Sequence, residues 1–304
     1  MTLTLWIKNP AGAWRSRLEG LRFRYLPKIS GRLLSWATLN ARRNLSGGTP
    51  VRVLVDSTIH HHAVTHETAW VSTGTKMWGG VHPIDTGYMA RIPVHRRDSD
   101  KAAYQDIKFL PGIVHLARLG HLELVTSAEL EAERERQPNS RFSPTGMSDH
   151  SLLSGVNMES VDGRAWGTIY PGWRDDRQSP QERQLARLHA SDDPTYLGLV
   201  AALGKRNSLD AWHVRTAEAH HLPYFLTMDR KLLKTIRAQS GHPAIRTLTT
   251  RVVSPAELGV ALGLMPFPPV LLSYNDASFP VRADFHMPEE QRRRYRKEAP
   301  GTER

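Results

Sequence analysis

The sequence contains no cysteine in 304 residues. This absence excludes a disulfide-bonded scaffold, thiolate zinc sites and a cysteine nucleophile, and it is compatible with a reducing compartment. No segment approaches the roughly 20 apolar residues that a membrane-spanning helix needs. The opening residues, MTLTLWIKNPAGAW, also lack the basic leader and uninterrupted apolar run of an export signal. We therefore expect a soluble, cytoplasmic protein.

Acidic residues are few relative to basic ones. The chain has 41 Lys and Arg against 30 Asp and Glu, a formal net charge of +11 and a pI of about 10.1. A field of this sign attracts polyanions, so we expect nucleic acid as the partner. A solvated basic face, or contact with acidic membrane lipid, is the alternative, because charge fixes only the sign of the partner.

The excess of positive charge is concentrated in the first 50 residues, where nine basic side chains accompany the single acid Glu19. We expect this segment to hold the nucleic-acid backbone through Arg15, Arg17, Arg22, Arg24, Arg42 and Arg43. The turn-forming run Ser46-Gly47-Gly48-Thr49-Pro50 predicts a boundary. The expected organisation is a basic extension over 1–49, one domain over 50–263 with an insertion or lid over 138–190, and a Pro-rich, basic tail over 264–304.

Short apolar segments alternate with helical patterns beyond residue 50. The runs VRVLV, LELVTS, YFLT and 244–253 are typical of buried strands, and Ser254 with Glu257 predicts a capping box at the start of a helix. Residues 69 to about 100 predict a long loop with at most one short helix, because Gly, Thr and Pro interrupt any period. Alternating strands and helices indicate a three-layer α/β/α fold around a mainly parallel sheet.

Four acids occupy comparable places in this pattern. Asp56 and Asp229 each end a strand, Asp210 opens a helix, and Glu133 lies on the helix after LELVTS. Sites in open α/β sheets form beyond the carboxyl ends of the strands, so these acids can converge there. Clustered carboxylates suit Mg²⁺ or Mn²⁺. Taken singly, each acid has a plainer interpretation as a helix cap, a helix-dipole partner or a solvated surface residue.

Two motifs resemble those of a known family. The run LDAWHVRTAEAHHLPYFLTMDRKLL, followed by VVSPAEL, is similar to the C-terminal half of PIN-domain ribonucleases, and VRVLVDSTI resembles their first strand. The resemblance implies metal-binding and catalytic carboxylates at Asp56, Asp210 and Asp229, with Ser57 and Thr227 as polar neighbours. The family's helical Glu falls on Glu133, six residues after Ser127. Glu129, one turn earlier on the same face, is the alternative.

The resemblance covers about residues 50–137 and 190–260 and implies an endoribonuclease that uses Mg²⁺ or Mn²⁺ to activate water. It leaves open whether the role is that of a toxin with an inhibitory partner protein or a housekeeping one, and whether the chain self-associates. Trp166 or Trp173 is a candidate for stacking on unpaired bases. The alternatives are a catalytically silent nucleic-acid-binding module, and a histidine-ligated metal hydrolase built on residues 60–62 and His66.

Overall fold

The computed structural model describes residues 10–94, 101–136, 150–163 and 180–272. Five short strands form a central sheet in the order β5-β4-β1-β6-β7, and every neighbouring pair is parallel. The strands are β1 (Val51–Val55), β4 (Leu122–Thr126), β5 (Glu159–Ser160), β6 (Tyr224–Leu226) and β7 (Arg251–Val253). Two further strands, β2 (His66–Trp78) and β3 (His82–Pro93), form a separate antiparallel pair.

Helices cover both faces of the sheet, as parallel pairing requires. They are α1 (Pro10–Ala37), α2 (Leu39–Leu45), α3 (Ser57–His62), α4 (Lys101–Ile107), α5 (Leu110–Arg118), α6 (Ala128–Arg136), α7 (Pro180–His189), α8 (Pro194–Leu203), α9 (Ser208–Ala219), α10 (Arg230–Ala238), α11 (Pro243–Arg246) and α12 (Pro255–Leu262). Short 3₁₀ turns lie at Ser151–Leu153, Lys205–Asn207 and Pro269–Leu272. The predicted three-layer α/β/α fold with a parallel sheet is confirmed.

The central strand β1 divides the interior into two cores. Val53 and Val55 face one core, which is closed by helices α1 to α5 and α12, while Leu54 faces the other, closed by α6 to α10. Successive side chains of a strand point to opposite faces, so three consecutive apolar residues supply both cores. This explains why β1 has no polar alternation in the sequence, and it places the following residue, Asp56, at the middle of the sheet edge.

Helix starts follow the predicted chemistry. Ser254 accepts a hydrogen bond from the amide of Glu257 while the Glu257 carboxylate accepts from the amide of Ser254, so the capping box is present. Asp193 caps α8 through the amide of Tyr196 at 3.0 Å. These local bonds satisfy amides that the first helical turn leaves free, so the helices begin where the sequence indicates.

The prediction of a long loop from residue 69 onward is wrong. Strands β2 and β3 pair from His66 opposite Pro93 to Trp78 opposite His82, with a register shift near Gly74. Gly79 and Gly80 both take positive φ, the backbone that a tight right-twisted hairpin turn requires. Near this turn, Met77, Trp78 and Val81 are exposed. Among the described residues, β2 and β3 pair with each other and not with the central sheet.

Two other expectations need adjustment. Of the predicted strand over 244–253, the first part forms α11 and only Arg251–Val253 joins the sheet. Within the predicted insertion, Glu159–Ser160 adds the edge strand β5, so this segment contributes to the sheet after all. Trp166 and Trp173, named as candidates for base stacking, lie outside the described residues.

The basic N-terminal segment reaches into the core. Ser30, Leu34 and Ala37 of α1 are buried, and the hydroxyl of Ser30 donates to the carbonyl of Leu271 at 2.6 Å. The end of α1 and residues 264–272 therefore share one side of the molecule. In the part of the chain that the structure describes, no helix is both long enough and apolar enough to cross a membrane.

Candidate active site

Asp56 lies at the carboxyl end of the central strand and is only 6% exposed. Its Oδ2 accepts hydrogen bonds from the hydroxyls of Thr58 and Thr227, each at 2.5 Å. Its side chain makes no capping bond to α3, so the plain N-cap interpretation fails for this acid. Burial raises the pKa of Asp56, and the two hydroxyls oppose that rise by stabilising the carboxylate.

The two threonines join the turns that follow β1 and β6. Thr58 Oγ1 accepts from the amide of Met228 at 3.0 Å, and Thr227 Oγ1 accepts from the amide of Asp229 at 2.9 Å. Each hydroxyl therefore accepts from one turn while donating to Asp56. The sequence analysis named Thr227 as a polar neighbour of the site but did not name Thr58. The feature that could have indicated Thr58 is its position two residues after Asp56, the acid that ends β1.

Glu133 reaches the same edge from α6. Its Oε2 accepts from the Ser57 hydroxyl at 3.0 Å, and its Oε1 lies 2.9 Å from Nε2 of His213. Glu129, the alternative, instead pairs with Arg187 on α7 at 3.0 Å. The register of α6 thus directs Glu133, and not Glu129, toward Asp56.

Asp210 is electrostatically coupled to the other acids. Burial raises its pKa to about 6, and repulsion from Asp229, Asp56 and Glu133 adds to the rise, while His213 opposes it. Charges affect one another's ionisation in this way only when they are near each other. Asp56, Glu133 and Asp229 therefore lie near Asp210, although the four acids come from four separate segments of the chain.

Asp229 serves a structural purpose as well. Its Oδ1 accepts from the amides of Lys231 at 2.7 Å and Leu232 at 3.0 Å, which makes it the N-cap of α10. The plain capping interpretation is therefore correct for this oxygen. The coupling of the same carboxylate to Asp210 places it at the cluster too.

His213 is the residue of this cluster that sequence reasoning missed. It lies one turn after Asp210 on α9, its side chain is 3% exposed, and its ring packs 6.3 Å from that of Phe225 between centroids. Burial disfavours the charged ring, but Glu133, Asp56 and Asp210 outweigh burial and raise the pKa of His213. The available signal was its spacing of three residues from Asp210, which puts both on one helical face.

The donor chemistry of the cluster fits a hard divalent cation. Three of the carboxylates, Glu133, Asp56 and Asp210, act on the imidazole of His213. Burial raises the pKa of Asp210 most, and repulsion from the other three acids adds to the rise. A bound cation would relieve this excess of negative charge. Within residues 10–94, 101–136, 150–163 and 180–272, however, no three His, Asp or Glu side chains are arranged so that they could hold a metal ion. The metal therefore stays a prediction.

The histidine-rich segment gives no competing metal centre among the described residues. Residues 60–62 lie in succession on the short helix α3, so their side chains point in different directions. Burial, with help from Arg134 and His150, lowers the pKa of His60 to about 4, which keeps its ring neutral near pH 7. A histidine-ligated hydrolase thus finds no support in this arrangement.

The predicted phosphate-binding arginines differ in their surroundings. Arg24 and Arg43 are exposed, whereas Arg42 is partly buried and its guanidinium donates to the carbonyl of Ser35 at 3.0 Å. The side chains of Arg15, Arg17 and Arg22 lie outside the described part of the structure. Of the three arginines whose side chains the structure describes, Arg24 and Arg43 are therefore the exposed ones.

Comparison with protein-family models, with curated proteins and with solved structures found no match for this chain.

Proposed function

We propose that this protein is a divalent-metal-dependent endoribonuclease of the PIN-like kind. The observation that supports the proposal most is the coupling of Asp56, Glu133, Asp210 and Asp229 at the carboxyl edge of the sheet. Gathering four acids in a protein of net charge +11 raises the free energy of the folded state, and such an arrangement is typical of a site that binds a cation.

The four carboxylates would hold Mg²⁺ or Mn²⁺. When bound, such an ion activates water and neutralises the charge that develops on the phosphate. The chain's own residues prepare the site. Thr58 and Thr227 hold Asp56 in one orientation and favour its ionised form, and Ser57 holds Glu133. Water is the nucleophile in this scheme, so no serine or cysteine nucleophile is needed.

The basic surface supplies the attraction to the substrate. Phosphate contacts from Lys and Arg displace condensed counterions and position nucleic acid without selecting its sequence. Exposed basic residues along α1, such as Arg24, Lys28 and Arg32, are suited to this task. RNA is proposed over DNA because the motifs around Asp56, Asp210 and Asp229 resemble ribonucleases.

The test is cleavage of labelled RNA and DNA of matched sequence by the purified chain, with Mn²⁺, with Mg²⁺ and with a chelator. We expect cleavage of RNA that requires the metal, is lost in Asp56→Asn and is retained in Glu131→Gln, a control acid on α6. Cleavage that survives the chelator, or that Asp56→Asn leaves intact, would contradict the proposal. Salt-dependent binding without cleavage under any metal condition would instead identify a silent binding module.

A further inference from the structure

His213 interacts with three acids of the cluster, and the family motif does not account for it. Its Nε2 lies 2.9 Å from Glu133 Oε1, and the ring is coupled to Asp56 and Asp210 as well. Three of the four carboxylates therefore act on one imidazole. A histidine that merely fills a core packs among apolar side chains and bonds to the backbone, whereas this one faces the acids.

The two ring nitrogens have different environments. Nε2 faces Glu133, while Nδ1 is buried and has no hydrogen-bond partner among the described residues. A buried nitrogen without a partner is costly and calls for an explanation. The ring is fixed from behind by contact with Phe225 and by its place inside α9. The ring is thus held rigidly, with Nε2 directed at Glu133.

Glu133 and His213 are hydrogen-bonded to each other, and their separation is one that two ligands of the same ion can also have. Two adjacent donors that bind an octahedral cation at about 2.1 Å are separated by about 3 Å. Glu133 Oε1 and His213 Nε2 are 2.9 Å apart. Imidazole nitrogen is a better ligand for first-row transition ions than for Mg²⁺, which is bound mainly through carboxylates and retained waters.

We propose that His213 is a nitrogen ligand of the metal site and makes this site prefer Mn²⁺ to Mg²⁺. The proposal rests on the proposed function, because it assumes that the acid cluster binds a divalent ion. It goes further by assigning a ligand that the acidic motif does not contain and by naming the ion that the site selects. An all-carboxylate site would show no such nitrogen contact.

The decisive measurement is pulsed electron paramagnetic resonance of the full chain loaded with Mn²⁺. We expect nitrogen hyperfine coupling to Mn²⁺ in the wild type, its loss in His213→Gln, and its retention in His189→Gln, a control histidine exposed at the end of α7. The wild-type spectrum needs no variant, so the test stands even where His213→Gln fails to fold. A wild-type spectrum without nitrogen coupling would overturn the proposal.

Calorimetric titration with each ion separates ligation from mere positioning of Glu133. Gln keeps an N–H that can donate to Glu133 but offers no imidazole nitrogen. His213→Gln should lose about tenfold or more in Mn²⁺ affinity with little change for Mg²⁺. Equal losses for both ions would show that His213 only positions Glu133.

Asp56→Asn shows whether the acid cluster is the metal site at all. In one outcome, the wild type binds Mn²⁺ without nitrogen coupling and Asp56→Asn abolishes that binding. This pair of results would refute the role of His213 and leave the acid cluster as the metal site. Failure of the wild type to bind either ion would refute the metal site and this proposal together.

Discussion

The hydroxyl of Thr227 lies 2.5 Å from Oδ2 of Asp56, although 171 residues separate them along the chain. The contact exists because β1 and β6 are neighbours in the sheet, so the residues after both strands meet at one edge. A buried carboxylate needs such donors, and Thr227 with Thr58 supplies them. The geometry of Asp56 thus depends on side chains that would not themselves touch the substrate.

Replacement of Thr227 by Val should therefore reduce cleavage by about 10- to 100-fold, the usual cost of losing a residue that orients a metal ligand. Thr227→Ser keeps the hydroxyl and should retain most of the activity. The measurement is kcat for each variant alongside thermal unfolding. A loss in Thr227→Ser as large as that in Thr227→Val would show that the hydroxyl alone does not account for the role of this position.

Asp56→Asn and Asp229→Asn should abolish cleavage without unfolding the protein, because each swap removes charge but preserves shape. For Asp229 the fold should survive for a further reason, since Asn caps a helix about as well as Asp. Asp229→Ala is the informative companion, because it removes both the charge and the cap and should cost about 1 kcal/mol of stability. Cleavage at wild-type rates in the Asn variants would exclude the metal mechanism.

Asp210→Asn should stabilise the metal-free protein at neutral pH. The folded pKa of Asp210 is about 6, above the ordinary 3.8, so ionisation costs the folded state more than the unfolded one. Between pH 3.8 and 6 the folded state holds the extra proton, and wild-type stability falls as pH rises through this window. The variant escapes this loss and should gain up to about 2 kcal/mol above pH 6 and almost nothing below pH 3.8.

Thermal unfolding from pH 3 to pH 8 checks this prediction, with Asp192→Asn, the same replacement at an exposed acid, as the control. Saturating Mn²⁺ should raise the unfolding temperature of the wild type more than that of Asp210→Asn, because a bound ion relieves the same repulsion. A variant that is less stable than the wild type at pH 8 would show that Asp210 makes favourable contacts as a carboxylate.

How far the sequence predicted this structure depends on the range of the forces involved. The capping box at Ser254 and the strand ending at Asp56 follow from local chemistry, and parallel pairing brings strand-terminal acids to one edge. The resemblance placed the helical acid on Glu133, and the packing of α6 against α3 and α7, which directs Glu133 to Ser57 and Glu129 to Arg187, agrees with it. His213 was missed because its partner Glu133 lies 80 residues away along the chain, and no local pattern links the two.

The hairpin β2–β3 was missed because the usual signal is absent. Gly74, Gly79 and Gly80 take positive φ and allow the twist and the turn, yet in a sequence they are typical of loops. Strands β2 and β3 form a sheet of their own, separate from the central one, and their sequences carry no clear period of two.

The role of the basic N-terminal segment in RNA binding is better tested by point substitutions than by deletion. Removing residues 1–46 would take away Leu34, Ala37 and Ala41, which are buried in the core, so the truncated chain should be destabilised whatever its charge does. Arg24, Lys28 and Arg32 recur every fourth residue along α1 and are exposed. Beside them runs an exposed apolar row, made of Leu21, Tyr25, Ile29, Leu33 and Trp36. The two rows can be changed separately.

Charge reversal in Arg24→Glu with Arg32→Glu should weaken RNA binding and lower the slope of log affinity against log salt by about 2, one for each phosphate that an arginine no longer neutralises. Arg246→Glu with Arg251→Glu is the matched control, because it makes the same change of net charge at exposed positions on another part of the chain. The same slope in both double variants would mean that net charge alone governs binding. If Ile29→Ser with Leu33→Ser weakens binding as much, with no change in slope, the apolar row and not the charge is the contact surface of α1.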